Sequence, residues 1–425
     1  MTSPFSDTCM NFFFIPGKLS VSMDSQSGSS GKGKLGAFIG DHANNWQFAC
    51  CTYFPNAGHW RVDDDGGRYF YQTFNSCAAR PDKYEKLYIG PGACIELPSF
   101  HREKEQNNIP AHKIGISPLT SILQDIDGGY ERGTHDFNGI PEHGCGGGGP
   151  LVKTGTTAHG CGANRARRVL RRPEALYAKD VPELKEFICD VPFEIMDRME
   201  RGQAGLLEIA QGFQLSLMSR FFPFCTSRNC TVAAGFDDMM LPVVYAGNVI
   251  LNFRTFPIRI SNFKYIGEGG KHLTWDEVQD YERTGKKYEK IEGNSGPGYD
   301  DQEETTWDKI TQDSGSPTSL MEMTSVTKLP RRVFSFSRKN VEESVRHNRT
   351  VEQTYLAVNF VNYLDYELTG QRESLEPGPT GYYETGSKVL GAWLQSNIPE
   401  LDAQVVLLGT GAKTDDYIML NPYGR

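Results

Sequence analysis

Lys18 to Met23, KLSVSM, alternates and carries β-branched content as a strand does, and it runs straight into a glycine loop, MDSQSGSSGKGKLG (Met23 to Gly36). KGKLGAFIGDHA then reads as the start of a helix. Strand, glycine loop and helix in direct succession constrain the fold more than anything else in the chain. Such a loop turns its backbone N–H groups toward an anion at the positive end of the helix. Gly28-x4-Gly33-Lys34 is the skeleton of a phosphate loop, but Leu35 stands where that loop needs Ser or Thr for magnesium, and Ser29 and Ser30 fill its middle. Taken alone, the stretch fits a nucleotide site and a Gly/Ser turn with two solvated lysines, Lys32 and Lys34, about equally well.

Further strands are expected at KLYIG, GLLEIA, VILNFRTFPIRI, YLAVNFVNYL and AQVVLLGTG, with helices between them at DVPELKEFICDVPFEIMDRMERG and GSKVLGAWLQSNI. Strands interleaved with helices imply an α/β fold whose central sheet is mostly parallel and flanked by helices. Two stretches look like irregular insertions: the glycine-dense Asn138 to Arg168 and the polar, acidic Thr274 to Ser319. No linker stands out, so residues 1–425 are expected to form one domain with a short N-terminal tail (1–17) and a polar insertion at about 274–319. With 38% hydrophobic residues, 23% charged residues and a net charge of −9, the chain is an ordinary globular one that argues against broad nucleic-acid binding. No apolar run reaches the length of a membrane span, and the ten cysteines form no CxxC pair, which points to reduced thiols in a cytoplasm.

Several short stretches carry chemistry. YFPNAGHW places His59 at the tip of a compact turn; in KTGTTAHGCGANRARRVLRR, Thr156 and Thr157 suit phosphate contacts and the arginines suit charge pairing, though a solvated basic helix face explains that run somewhat better on its own. Gln211 follows a strand and precedes a glycine, a place suited to reading the amide edge of a base. In TSVTKLPRRVFSFS, Arg331 and Arg332 suit a carboxylate, and LGTGAKTDDYI is a second glycine turn.

Together, in this order, the stretches resemble the adenylosuccinate synthetases. That family's opening Gly-Asp-Glu-Gly-Lys-Gly-Lys is Gly28-Ser29-Ser30-Gly31-Lys32-Gly33-Lys34 here; its Asn-Ala-Gly-His is Asn56 to His59; its Gly-Thr-Thr is Gly155 to Thr157. Its Gly-Ala-Gln-Gly is close to Ile209 to Gly212, its Thr-Ser-x-Asn-x-Thr is Thr226 to Thr231, its aspartate loop is close to Thr327 to Arg332, and its late Ser-Thr-Gly-Pro is close to Gly409 to Ala412. The resemblance implies a P-loop-related fold with long loop insertions and a two-step, magnesium-dependent ligase. A γ-phosphoryl group goes onto O6 of a 6-oxopurine nucleotide, and the amine of L-aspartate then displaces that phosphate at C6. By the same resemblance Ser29, Lys32 and His59 fall at catalytic positions. Asn56, Thr156, Thr157, Arg171, Gln211 and Thr226 fall on the substrate nucleotide. Thr327 and Arg331 fall on aspartate. Ser30, Gly31, Lys32, Gly33, Lys34, Gly58, His59, Gly409, Thr410 and Gly411 fall on the triphosphate, and Ser29 and Gly58 on the metal. The family is homodimeric, and the arginine that crosses to the partner's nucleotide phosphate matches Arg171, with Arg168 and Arg172 close in register.

The departures are as informative. Ser29 stands in place of the family's Asp, which takes the N1 proton, and a neutral hydroxyl cannot be that base. A shorter residue leaves room near N1 and C2, where guanine carries an amino group and hypoxanthine does not. Ser29 and the VFSFS run after Arg332 are similar to the family's phage branch, the 2-aminoadenylosuccinate synthases, which implies dGMP as substrate. Leu329 replaces an aspartate-loop arginine, and the guanine-reading Lys-x-Asp is absent near Asn359-Phe360-Val361, which favours ATP or dATP as the donor. Three other readings compete: a divergent synthetase acting on IMP with GTP, a non-catalytic purine nucleotide-binding protein, and a nucleotide kinase, which Leu35 disfavours.

Overall fold

The computed structural model describes residues 4–6, 8–136, 138, 157–271, 273–324, 328–376 and 387–422. Its centre is a ten-stranded sheet. Numbered along the chain, the strands are β1 (Leu19–Asp24), β2 (Phe48–Cys51), β3 (Lys86–Ile89), β4 (Ile114–Ile116), β5 (Gly205–Gly212), β6 (Ala246–Arg254), β7 (Thr354–Asn359), β8 (Glu373–Leu375), β9 (Gln404–Gly409) and β10 (Tyr417–Leu420). Their order across the sheet is β8-β10-β9-β7-β6-β1-β5-β2-β3-β4. Every pairing is parallel except β9 with β10.

The first strand lies between β5 and β6 and is buried along its whole length. Leu19, Val21 and Met23 pack on one face with Leu207, Ile209, Val249, Leu251 and Phe253. Ser20 and Ser22 alternate with them; Ser20 Oγ donates to the Phe13 carbonyl at 2.6 Å, which satisfies a buried hydroxyl. The helix after the glycine loop, α1 (Lys32–His42), is buried on nearly every side, with Leu35, Phe38 and Ile39 in the core with Ala49, Leu206 and Ala210. Its glycines make that burial possible: a Cβ on Gly33 would sit 2.7 Å from His59 Cβ.

Three sequence expectations shift. YLAVNFVNYL is a strand only as far as Asn359; Phe360 then turns into the left-handed region (φ 62°) and a 3-10 turn follows over Val361–Tyr363. The helical run after Asp180 is broken: a 3-10 segment spans Pro182–Phe187, and a separate helix, Val191–Glu200, starts where Asp190 caps the Phe193 N–H at 3.2 Å. The polar stretch 274–319 is not irregular. It contains the helices Trp275–Thr284 and Trp307–Ser314, each opened by a threonine cap (Thr274, Thr306). Val278 packs with Tyr265, Leu273 and Leu329, and Trp307 and Ile310 pack with Ile258 and Val333. Asp276, Glu282, Asp308 and Asp313 lie exposed on these two helices, and Glu289, Glu292, Asp300, Asp301, Glu303 and Glu304 lie in the segment between them. Of the glycine-dense stretch, 139–156 lies outside the described residues, and Cys161–Val169 is a helix. Among the described residues no helix is long and apolar enough to cross a membrane.

Gly33→Ala drives its new methyl into the backbone and Cβ of His59 and is expected to destabilise the protein by about 1–3 kcal/mol. A urea-denaturation midpoint checks this; an unchanged midpoint would mean that α1 and the His59 strand are not held at this spacing.

Candidate active site

The carboxyl ends of β1, β5, β6, β7 and β9 converge on the glycine loop, the end of a parallel sheet where ligands bind. The loop is held from beneath by side chains. The Asp24 carboxylate, at the end of β1, accepts the Gln26 N–H at 2.8 Å and the Ser30 N–H at 2.9 Å. Gln26 Oε1 accepts from Ser30 Oγ (3.1 Å) and from the Arg254 N–H (2.9 Å). From β7, Asn359 Nδ2 donates to the Ser30 carbonyl at 2.7 Å. Gly28 and Gly31 have φ of 92° and 93°, and between them Ser29 takes φ 57°, a conformation unusual for a residue with a side chain. Ser29 is exposed at the tip of the loop, and Ser30 is buried.

Lys32 does not reach into solvent. Its Nζ donates to the carbonyls of Ile209 and Gln211 (3.1 Å to the latter), binding the start of α1 to the end of β5. Burial lowers its pKa while Glu208 and Asp24 pull the other way. Burial likewise raises the Asp24 carboxyl and pushes Glu208 up to about 7, in both cases against the attraction of Lys32. His59 lies alongside. Its ring stacks on Tyr53 with centroids 4.3 Å apart, Nδ1 is 4.0 Å from Glu208 Oε1, and Nε2 is buried without a hydrogen-bond partner among the described residues. Burial and the nearby Lys32 hold the imidazole well below its ordinary pKa, so it is neutral at pH 7.

Lys34 spans to the other glycine turn. Its Nζ donates to the carbonyls of Gly411 (2.9 Å) and Asp416 and lies 3.8 Å from the centre of the Tyr417 ring. Burial lowers it to about 7. Gly409, Thr410 and Gly411 are thereby brought to the loop, with Thr410 Oγ1 held by the Gln371 carbonyl at 2.7 Å. Gln211, in the left-handed region at φ 61°, donates from Nε2 to Asn56 Oδ1 at 2.7 Å, so two residues expected on the nucleotide meet directly. Gly58 is exposed beside His59. Thr226 sits in the turn before Thr231, whose Oγ caps the Ala234 N–H at 3.1 Å.

Arg168 donates to the carbonyls of Pro91 (2.6 Å) and Leu119 (2.7 Å), and Arg172 is paired with Glu174. Arg171, left-handed at φ 52°, is exposed, and among the described residues its guanidinium has no ion pair. Thr157 is half-buried. Thr156 and Thr327 lie outside the described residues. Arg331 is described; its Nε donates to the Met323 carbonyl at 3.2 Å.

The site includes residues that the sequence reading did not single out. Glu208 had a visible signal, a lone carboxylate inside the apolar strand GLLEIA. Asp24 had a weaker one, as the last residue before the loop. Arg254, Asn359 and Arg228 had none; Arg228 is fully buried, bonded to Thr52 Oγ1 at 2.9 Å and paired with Asp238.

Backbone N–H groups at a helix start, buried lysines, a neutral histidine and a second glycine turn are groups of the kind that phosphoryl transfer uses, and the fold is that of the adenylosuccinate synthetases. The structure superposes on the fully ligated adenylosuccinate synthetase of Plasmodium falciparum with a TM-score of 0.61 at 15% identity, over 94% of this chain and 99% of that one. It superposes with a TM-score of 0.69 at 24% identity, over 95% of both chains, on the cyanophage S-2L succinoaminodeoxyadenylate synthetase, a structure bound to dGMP and to dATP as an energy donor. In sequence the chain is 29% identical over 378 residues to the N6-succino-2-amino-2′-deoxyadenylate synthase of Acinetobacter phage SH-Ab 15497, covering 81% of this chain and 84% of the relative. No protein-family model matches the chain. The resemblance to adenylosuccinate synthetases, and to their phage branch, therefore extends over most of its length.

Glu208 gives the site a pH signature. Its carboxyl is raised from 4.5 to about 7 in the folded protein, so the native state binds the proton more tightly than the unfolded chain does. Its contribution to stability is therefore greatest below pH 4.5 and is lost as pH rises toward 7. Glu208→Gln is expected to flatten the decline of the urea midpoint across that interval; an unaltered slope would contradict the assignment.

Proposed function

We propose that this protein joins L-aspartate to C6 of dGMP, with ATP or dATP as phosphoryl donor. The products are N6-succino-2-amino-2′-deoxyadenylate, phosphate and the nucleoside diphosphate, through a 6-phosphoryl intermediate, and the route leads to 2-aminoadenine DNA. The observation that carries this reading is Ser29, exposed at the tip of the loop where the synthetases that use IMP carry an aspartate. Around it Lys32, His59 and Gln211 of the family pattern are retained. A short neutral side chain there admits the 2-amino group of guanine and removes the carboxylate.

The division of labour follows from the geometry. The loop N–H groups at the start of α1 and the neighbouring Lys32 and Lys34 favour the charge of the triphosphate. The neutral His59, its Nε2 unpartnered, is suited to donate toward an oxygen on which charge develops. Gln211 and Asn56, already bonded to each other, fit the amide edge of the purine. Arg331, with Thr327 as sequence reasoning has it, fits aspartate. Magnesium, when bound, neutralises triphosphate charge. Ser29 and Gly58, both exposed, are the residues that would hold it, and a cation that keeps waters and takes phosphate oxygens needs no more from the protein. The exposed Arg171 fits a homodimer in which it reaches the partner's nucleotide, and a cytoplasmic setting, a host's if the gene is a phage's, suits the substrates.

The test is incubation with dGMP, GMP or IMP, each with aspartate and ATP or GTP. Succino product and aspartate-dependent phosphate release are expected from dGMP with ATP, at least about tenfold above IMP in kcat/KM. Preference for IMP with GTP would favour the ordinary synthetase, and binding without turnover a nucleotide-binding protein. Ser29→Asp is expected to lower kcat/KM for dGMP by at least about tenfold and to narrow or reverse the preference. Arg171→Ala is expected to raise KM for dGMP while sedimentation still shows a dimer; a monomeric wild-type protein would end that part of the proposal.

A further inference from the structure

The ligase reading leaves one gap in the aspartate site. Leu329 stands where an arginine is expected, and it is buried among Tyr265, Leu273 and Val278, where it serves the core and offers nothing to a ligand. A different arginine occupies the neighbourhood. Arg254, at the carboxyl end of β6, is fully buried, and its guanidinium is forked onto the carboxylate of Glu322: Nη1 donates to Oε2 at 3.1 Å and Nη2 to Oε1. The hydroxyl of Tyr363 donates to Oε1 at 3.0 Å. The Phe360 ring lies 4.1 Å from Arg254 Cζ and covers the guanidinium. Arg331 adds its charge to the same carboxylate, which, with Arg254 and Tyr363, holds Glu322 below its ordinary pKa in spite of burial. Two guanidinium groups and a phenol around one carboxylate make a carboxylate receptor.

We propose that Arg254, Arg331 and Tyr363 form the receptor for a carboxylate of the incoming amino acid, and that Glu322 fills it as an internal stand-in that the substrate displaces. Three observations distinguish this from a structural ion pair. The receptor adjoins the reaction loop, because Arg254 Nη1 also donates to the Ser29 carbonyl at 3.1 Å. Arg254 is buried while the Glu322 side chain keeps 21% of its surface exposed, so of the two partners Glu322 is the one on the solvent side. Arg254 Nε is buried with no partner among the described residues, a donor that Glu322 leaves unused and a differently seated carboxylate can take. A buried guanidinium without a counter-charge is costly; Glu322 supplies one until aspartate arrives. Aspartate must then compete with a tethered carboxylate, which weakens its apparent binding.

This proposal rests on the ligase reading for the identity of the ligand, and its test does not require turnover. Succinate carries two carboxylates and no amine, so it binds without reacting. Its affinity for the dGMP-saturated protein is to be measured by calorimetry for wild type, Glu322→Gln, Glu322→Asp and Arg254→Met. Removing the stand-in is expected to tighten succinate binding by about tenfold in Glu322→Gln and by less in Glu322→Asp. Arg254→Met is expected to abolish it. In kinetics, Glu322→Gln lowers KM for aspartate and leaves KM for dGMP unchanged. Succinate binding that is equal or weaker in both folded Glu322 variants would overturn the proposal, whether or not the protein makes a succino product. Tighter binding in a protein that makes none would uphold the receptor and refute the ligase reading.

Discussion

One buried ammonium organises the site. Lys32 opens α1, is almost wholly excluded from water, and bonds to the last carbonyls of β5 while two buried carboxyl groups, Asp24 and Glu208, flank it. A charge so placed is tolerable only with partners on every side, and those partners are the functional elements. Asp24 shapes the loop through the N–H groups of Gln26 and Ser30. Glu208 lies beside His59. The β5 carbonyls belong to the strand end that carries Gln211. Lys34, two residues along the same helix and on its other side, repeats the arrangement toward Gly411 and Asp416. The loop is therefore fixed from below, and Ser29 alone at its tip is free to face a substrate.

Much of this was legible in the sequence. The strand, glycine loop and helix and the mostly parallel sheet follow from local patterns and their order, whereas a common site for Asn56, Gln211 and the two glycine turns was implied only by the family resemblance. What was not legible depends on tertiary placement. YLAVNFVNYL has strand composition throughout, but the chain must turn at Phe360 to let Asn359 hold the loop. The 274–319 stretch was misread because its polar surface outweighs a few anchors, Val278, Trp307 and Ile310, that only a fold can place. Arg254 is a charged residue at the end of a strand, and nothing in its flanking residues announces that its partner is Glu322, far along the chain.

Carboxyl groups missing from the loop tip remain elsewhere around it. Ser29 and Ser30 remove two acidic groups from the tip, while Asp24, Glu208 and Glu322 keep carboxylates below and beside it. Two of these, Asp24 and Glu208, are raised by burial, and Glu322 is held ionised by arginines. The structure thus sets a neutral loop tip above a charged frame, and in the proposed reaction the neutral tip is the face toward the purine.

The central claim is that O6 of the purine is phosphorylated before aspartate replaces it, and oxygen tracing tests it most directly. With dGMP labelled with 18O at C6, together with ATP and aspartate, the account predicts one 18O in the inorganic phosphate for every succino product formed. Unlabelled phosphate, or transfer of the phosphoryl group to the 5′-phosphate to give a nucleoside diphosphate, would contradict it.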